Sequence, residues 1–339
     1  MNMNLFVKKL KQILILLVVA CFCASCSSVP DLSYNPWRTI ALPTDARLLS
    51  IDFTDDPNHG WVVGSKSTLF ETQDGGNTWQ ERTLELGEEK LSFTSVSFNG
   101  QEGWIVGEPS ILLHTEDGGG SWSRIPLSTK LPGSPQAIVA LGSHQAEMTT
   151  NVGAIYKTTD NAKTWSALVE GAVGVVRNIA RSDNGEYVAV SSRGNFYSTW
   201  TPGDRTWRPH ERTSSRRLQN MGFGKDGRRW LIARGGQIQF SAPEAEEDWD
   251  DILYPEPSTS WGLLDVAYRT PAEIWVSGGS GNLLVSFDGG QTWEKDRDIE
   301  EVPSNLYDII FTQDDRGFIL GDRGYLLKYE PDMAATQAA

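Results

Sequence analysis

Only three of the 339 residues are cysteine, and Cys21, Cys23 and Cys26 all lie near the start of the chain. The body can therefore form no disulfide and must be stabilised by burial of its own core. Histidine is as scarce. His59, His114, His144 and His210 fall at unrelated places, and with no thiol beside them they make no usual metal-ligand grouping. Positive charge is also short, with 30 Lys+Arg against 44 Asp+Glu and a net of -14. That balance excludes a general nucleic-acid binder and a protein that coats anionic lipid through bulk charge. No Gly-rich phosphate loop leads from a strand into a helix, and no helix-period segment of useful length is present, so no cofactor is implied.

The apolar run Ile13 to Ala24 has 12 residues, too few for a membrane span, which takes about 20. It follows Lys8, Lys9 and Lys11 and ends in Ala24-Ser25-Cys26, the plan of a secretory leader. Small-small-Cys resembles the lipobox of bacterial lipoproteins, although Cys23 stands where that motif usually has Leu. Residues 1–25 are then a lipoprotein signal, and Cys26 is the lipid anchor, acylated with chains such as palmitate. The alternative is an ordinary signal peptide cut near Ala24. Loss of the three leader lysines takes the charge from -14 to -17.

What the chain has in abundance is tryptophan and glycine, 13 and 33 residues. Trp37, Trp79, Trp122, Trp165, Trp207, Trp249 and Trp293 recur at intervals of 42 to 44 residues. A second series, Trp61, Trp104, Met148, Tyr187, Trp230, Trp275 and Phe318, runs at 39 to 45 residues, each within a short β pattern such as Gly60-Trp61-Val62-Val63-Gly64. Periods in the low forties with four short strands per unit define propeller blades. The stretches Thr72 to Trp79, Thr115 to Trp122, Thr158 to Trp165 and Ser286 to Trp293 are Asp-boxes, S/T-x-D-x-G-x-T/S-W, with Ala162 in place of the glycine in the third. In such a box glycine permits positive φ, Asp and hydroxyl side chains bond turn amides, and Trp wedges into the blade.

Seven innermost strands can be read, yet Trp37 precedes the first and no Trp follows the last. The fold class is thus all-β, a seven-bladed β-propeller over residues 26–331, closed by an N-terminal outer strand at Trp37 to Ile40, with 332–339 as a frayed, disordered tail. Such a clasp leaves no open sheet edge between the termini.

At this level of detail the sequence resembles a known family, the photosystem II stability and assembly factors of cyanobacteria and chloroplasts. The likeness is carried by His59 to Gly64, Gly103 to Thr115 (GWIVGEPSILLHT), Leu131 to Pro135 and Ala146 to Thr158 (AEMTTNVGAIYKT), and extends over the mature chain. The resemblance implies a lumenal, lipid-anchored thylakoid propeller. Its partners would be newly made reaction-centre subunits, above all the precursor with an uncleaved C-terminal extension, together with early assembly intermediates and pigment-binding assembly complexes. A lipoprotein leader points to the cyanobacterial type.

Charge distribution marks a candidate site independently. Residues 174–235 hold eleven arginines and one lysine against five acids, a net of +7, while the remaining mature chain carries -24. A basic sector on an acidic body steers and orients a partner, and arginine suits carboxylates and aromatic faces. In a propeller, outer-to-inner loops share a face with the loops joining second to third strands. Arg193, Arg212, Arg216, Arg217 and Arg234 therefore fall on one face, Arg177 joins them near the central channel, and Arg228 and Arg229 lie opposite. The bland alternative is a solubilising charge run. An enzymatic alternative is a carbohydrate-processing, sialidase-like propeller, since Ser123-Arg124-Ile125-Pro126 echoes a sialidase motif. It follows an Asp-box Trp, however, on an outer strand, and no nucleophile pair can be identified from spacing.

Overall fold

A computed structural model describes residues 29–331 apart from 88–90, 213, 243–247 and 257–261. The expected leader, Cys26 as lipid anchor, and the tail from 332 lie outside the described residues. From Asp31 onward the described residues form seven antiparallel sheets, each with one strand innermost. The inner strands are Leu48–Phe53, Ser92–Asn99, Pro135–Gly142, Val176–Arg181, Leu218–Phe223, Leu263–Tyr268 and Leu306–Gln313, which begin blades 1 to 7 in that order.

The ring closes as the Trp register requires. Trp37–Ala41 pairs antiparallel with Tyr325–Tyr329, so the outer strand of blade 7 comes from the beginning of the chain. Blade 5 departs from the expected plan of four strands. Among the described residues its sheet has three, and the segment after Phe240 meets the third strand through isolated bridges, Ser241 to Trp249 and Ile238 to Leu253. This unit lacks an Asp-box, but so does blade 4, which keeps a fourth strand at Arg208–Glu211.

Second strands are buried on both faces, as in Gly60–Gly64 and Ile274–Gly278, because each blade packs against a neighbour on either side. The Asp-boxes join these layers. Thr115 Oγ1 donates to Asp117 Oδ1 at 2.7 Å and accepts from Gly119 N at 2.9 Å, while Ser121 Oγ donates to Asp117 Oδ2 at 2.7 Å. Gly119, at φ 95°, leaves room for the Trp61 indole of the preceding blade, whose ring carbons a Cβ there would meet at 2.3 Å. In the third box Ala162 adopts the glycine conformation, φ 58°, and keeps the bond from its N–H to Thr158 Oγ1 at 2.9 Å.

Polar side chains stitch neighbouring inner strands. Ser50 Oγ accepts from Val96 N at 3.2 Å, Ser95 Oγ accepts from Ile138 N at 3.2 Å, and Asp265 Oδ2 accepts from Ile309 N at 3.0 Å. These residues share one register position, so the same cross-blade bond recurs around the axis and satisfies backbone groups that would otherwise be buried unpaired. At the junction of blades 6 and 7 the position holds two carboxyls, Asp265 and Asp308, hydrogen-bonded to each other and both pushed up, first by burial.

Candidate functional site

The six arginines singled out by register arrive from three kinds of position. Arg177 is the second residue of the inner strand of blade 4. Arg193 and Arg234 sit in the turns joining second to third strands of blades 4 and 5, and Arg212, Arg216 and Arg217 occupy the connection from Glu211 to Leu218. They form one contact chain. Arg177 Nη2 donates to Ser192 O at 3.2 Å and its Nη1 to Leu218 O at 3.3 Å, and Arg177 also bonds Gln219 Oε1. Arg212 Nη1 donates to Arg216 O at 2.8 Å, and Arg216 Nη1 to Arg234 O at 3.2 Å. The backbone ties the loops as well, with Arg234 N donating to Arg217 O at 2.9 Å. A Cβ on Gly194 would meet the Arg217 Cβ at 3.2 Å, which places Arg193 beside it.

Among the described residues this cluster has no acidic partner. Among the described residues none of the six forms an ion pair with a carboxylate; where they bond, it is to carbonyls or an amide oxygen. Arg177 is pushed below the ordinary arginine range by burial and then by the positive charges of Arg234 and Arg217, and Arg212 is pushed down by burial. Arg193, Arg216, Arg217 and Arg234 are exposed. Arginines elsewhere in the same basic stretch are spoken for. Arg228 Nε lies 2.6 Å from Asp226 Oδ2 and its guanidinium 4.6 Å over the Phe240 ring, and Arg229 lies 3.5 Å from Glu186. Arg181 pairs with Glu147 at 2.9 Å.

Two features of this face were not read from the sequence. Val175 and Phe196, 60% and 37% exposed, flank the arginines at the start of the inner and third strands of blade 4. Their signal was available in the register, since hydrophobic residues at loop-to-strand junctions on that side have no neighbouring blade to cover them. On the same face Arg47, which precedes the inner strand of blade 1 as Arg217 precedes that of blade 5, stacks 3.8 Å over Tyr307 and pairs with Asp322 at 3.0 Å.

Arg124 of the sialidase-like tetrad lies in the exposed outer strand Ser123–Arg124 of blade 2. A Tyr–Glu pair does exist, with Tyr187 OH donating to Glu147 Oε2 at 3.1 Å. It is buried between blades 3 and 4, at the strand ends opposite the six arginines, and the phenol is pushed strongly up by burial and by Glu147. Arg181 and Lys157 share the same carboxylate, so the group ties two blades together.

Fold and repeats together define a seven-bladed Asp-box propeller. Its family can be stated as well: the description "Photosynthesis system II assembly factor YCF48" matches residues 29–330, and the chain belongs to that family. It is 63% identical over 330 residues, covering 97% of each chain, to "Photosystem II assembly lipoprotein Ycf48" of Trichormus variabilis. Among solved structures it resembles "YCF48 bound to D1 peptide" with a TM-score of 0.88 and 58% identity, over 90% of this chain and 100% of that one. It also resembles "YCF48 from Cyanidioschyzon merolae" with a TM-score of 0.83 and 39% identity, over 88% of this chain and 99% of that one. The resemblance drawn from His59 to Gly64 and the other quoted segments pointed to this family.

Proposed function

We propose that this chain is a non-catalytic photosystem II assembly factor that holds a newly made reaction-centre precursor against its arginine face. The observation that carries this reading is the contrast between faces. Arg177, Arg193, Arg212, Arg216, Arg217 and Arg234 converge without an acidic partner among the described residues, whereas Arg228 and Arg229 are paired with Asp226 and Glu186. A protein that keeps several guanidiniums together and unpaired bears a repulsion that a partner's carboxylates relieve. Val175 and Phe196 add apolar contact beside that charge, so the face suits an extended acidic peptide better than a free anion. A relative of 58% identity has been solved "bound to D1 peptide", which supports a reaction-centre subunit as the occupant.

In this reading residues 1–25 direct export, Cys26 carries the lipid, and the propeller works on the lumenal side of the thylakoid membrane, meeting early intermediates and pigment-binding assembly complexes there. Relatives named as lipoproteins support the anchor. Two acyl chains make membrane attachment stable, at about 0.8 kcal/mol per buried methylene. Cys26→Ala is expected to release the protein from membranes or block its processing; a variant that fractionates and matures normally removes the anchor from the account. For the function as a whole, co-purification from detergent-solubilised membranes is the test. Reaction-centre subunits in the eluate are expected, and glycan hydrolysis with no such partner points to the carbohydrate-processing alternative.

A further inference from the structure

A cavity of about 540 Å³ lies between blades 4 and 5, beside the blade whose sheet has three strands among the described residues. In blade 4 the outer strand Arg208–Glu211 runs in register along Phe196–Trp200. The corresponding segment of blade 5 meets its third strand at Trp249 and Leu253, and Ile252 between those points is left 41% exposed.

Apolar side chains line the cavity from both blades, Tyr197 and Pro209 on one side and Leu231, Trp249 and Ile252 on the other. Ring contacts fix part of this wall. Tyr197 stacks on His210, centroids 4.7 Å apart and planes at 14°, while the Trp249 indole meets Tyr197 edge to face and donates from Nε1 to its hydroxyl at 3.2 Å. A wall that is already ordered loses little freedom when a ligand side chain enters. Among the described lining residues one carboxylate, Glu211, accompanies one guanidinium, Arg212, so net charge gives a free ion no reason to settle there.

Two links join the cavity to the arginine face. Arg212 lines it and donates from Nη1 to Arg216 O at 2.8 Å. Glu211, also in the wall, is the register partner of Phe196, one of the two exposed apolar residues beside the arginines. A chain lying along Arg216 and Phe196 therefore has the cavity next to it.

We propose that this cavity receives a large apolar side chain, aromatic or branched aliphatic, of the acidic peptide held on the arginine face, and so selects among peptides that the arginines alone would bind alike. The inference rests on the reading of that face as a peptide site. Attraction to the arginines follows the number of carboxylates, whereas burial of one apolar side chain depends on where it stands along the peptide.

The experiment measures binding of synthetic peptides to the full chain by fluorescence anisotropy. The parent is an extended peptide of Asp, Gly and Ser; the others keep its length and charge and carry one Phe, moved along the sequence. With Phe at the best position, binding is expected to tighten about tenfold or more over the parent, the effect of burying one such side chain. Pro209→Ser combined with Ile252→Ser, both at exposed positions, is expected to bring that ratio towards one. Reversal of Arg193, Arg216 and Arg217 is expected to weaken every peptide. Equal binding of the parent and all Phe peptides overturns the role of the cavity and leaves the arginine face standing. A Phe preference that survives the double variant overturns it too, because Val175 or Phe196 then supplies the contact. Binding of no peptide, or binding indifferent to the arginine reversals, removes the underlying reading and this proposal with it.

Discussion

Trp37 meets Trp275 edge to face, ring centroids 5.3 Å apart and planes at 85°, joining the start of the propeller to the core between blades 6 and 7. Tyr329 lies 5.2 Å from the same indole, so one residue of the closing strand is locked on two sides. The clasp is therefore held by side-chain packing as well as by its ladder of backbone bonds. Trp37→Ala is expected to cost about 3 to 5 kcal/mol, the range for deleting a buried aromatic, and to lower the single unfolding transition of the whole ring. Denaturant unfolding checks this; a loss under 1 kcal/mol would mean that the clasp contributes little.

The third Asp-box offers a gain in stability. Ala162 holds a left-handed backbone conformation, φ 58°, in the place where the other boxes have glycine. That conformation costs a residue with a Cβ about 1 kcal/mol or more, only part of which is offset by the greater freedom of glycine in the unfolded chain. Ala162→Gly is therefore expected to raise stability by a few tenths to about 1 kcal/mol, measured as an upward shift of the urea midpoint at unchanged slope. A downward shift contradicts the assignment of strain at this residue.

Stability should depend on pH with two opposing signs. Asp265 and Asp308 share a proton where inner strands 6 and 7 meet, and burial against its backbone bonds pushes Asp52 up to about 6. A carboxyl raised in the folded state contributes stability that is complete below its unfolded pKa and is lost as pH rises through its folded pKa. Asp117 and Asp288 act oppositely, held down to about 2 chiefly by the hydroxyls of Thr115 and Thr292. Their contribution is present above the unfolded value, about 4, and is lost as pH falls toward 2. Tm is thus expected to peak in mildly acidic solution and decline on both sides. Asp308→Asn supplies an N–H where the shared proton sits, and should flatten the alkaline decline; an unchanged profile rules out the pair as its source.

Much of the fold was legible because a propeller imposes the same demands seven times. A bulky residue must plug each blade at the Trp37, Trp79 and Trp122 position, and each box must supply positive φ, so spacing alone revealed blade number and closure. The arginine face was legible for a related reason, since strand direction alternates within a blade and assigns each loop a side. Other features depend on distances that no spacing encodes. The pairing of Arg229 with Glu186 arises across blades 4 and 5, and the Asp265–Asp308 contact arises because adjacent inner strands converge at the axis. Blade 5 misled in the other direction. Trp249 keeps the period, yet among the described residues its segment makes isolated bridges instead of a strand.

The contrast between the two faces is the central claim, and capture of reaction-centre precursor by charge-reversal variants tests it most directly. Arg193, Arg216 and Arg217 are exposed in loops, so their reversal to Glu should leave the circular dichroism spectrum unchanged. Truncating one member of a desolvated charge pair costs about 2 kcal/mol or more, so three reversals should abolish capture. The control is neutralisation of Arg228 and Arg229 to Gln, which lie on the other face and are paired with acids of the propeller itself. Provided that this variant folds, capture should persist, and wild-type binding should weaken with added salt more steeply than any residual binding of the triple variant. Loss of capture from the first face with retention from the second is the result the account predicts. Equal loss from both faces would reduce the arginines to bulk charge, and full retention in the triple variant would contradict the arginine face as the binding site.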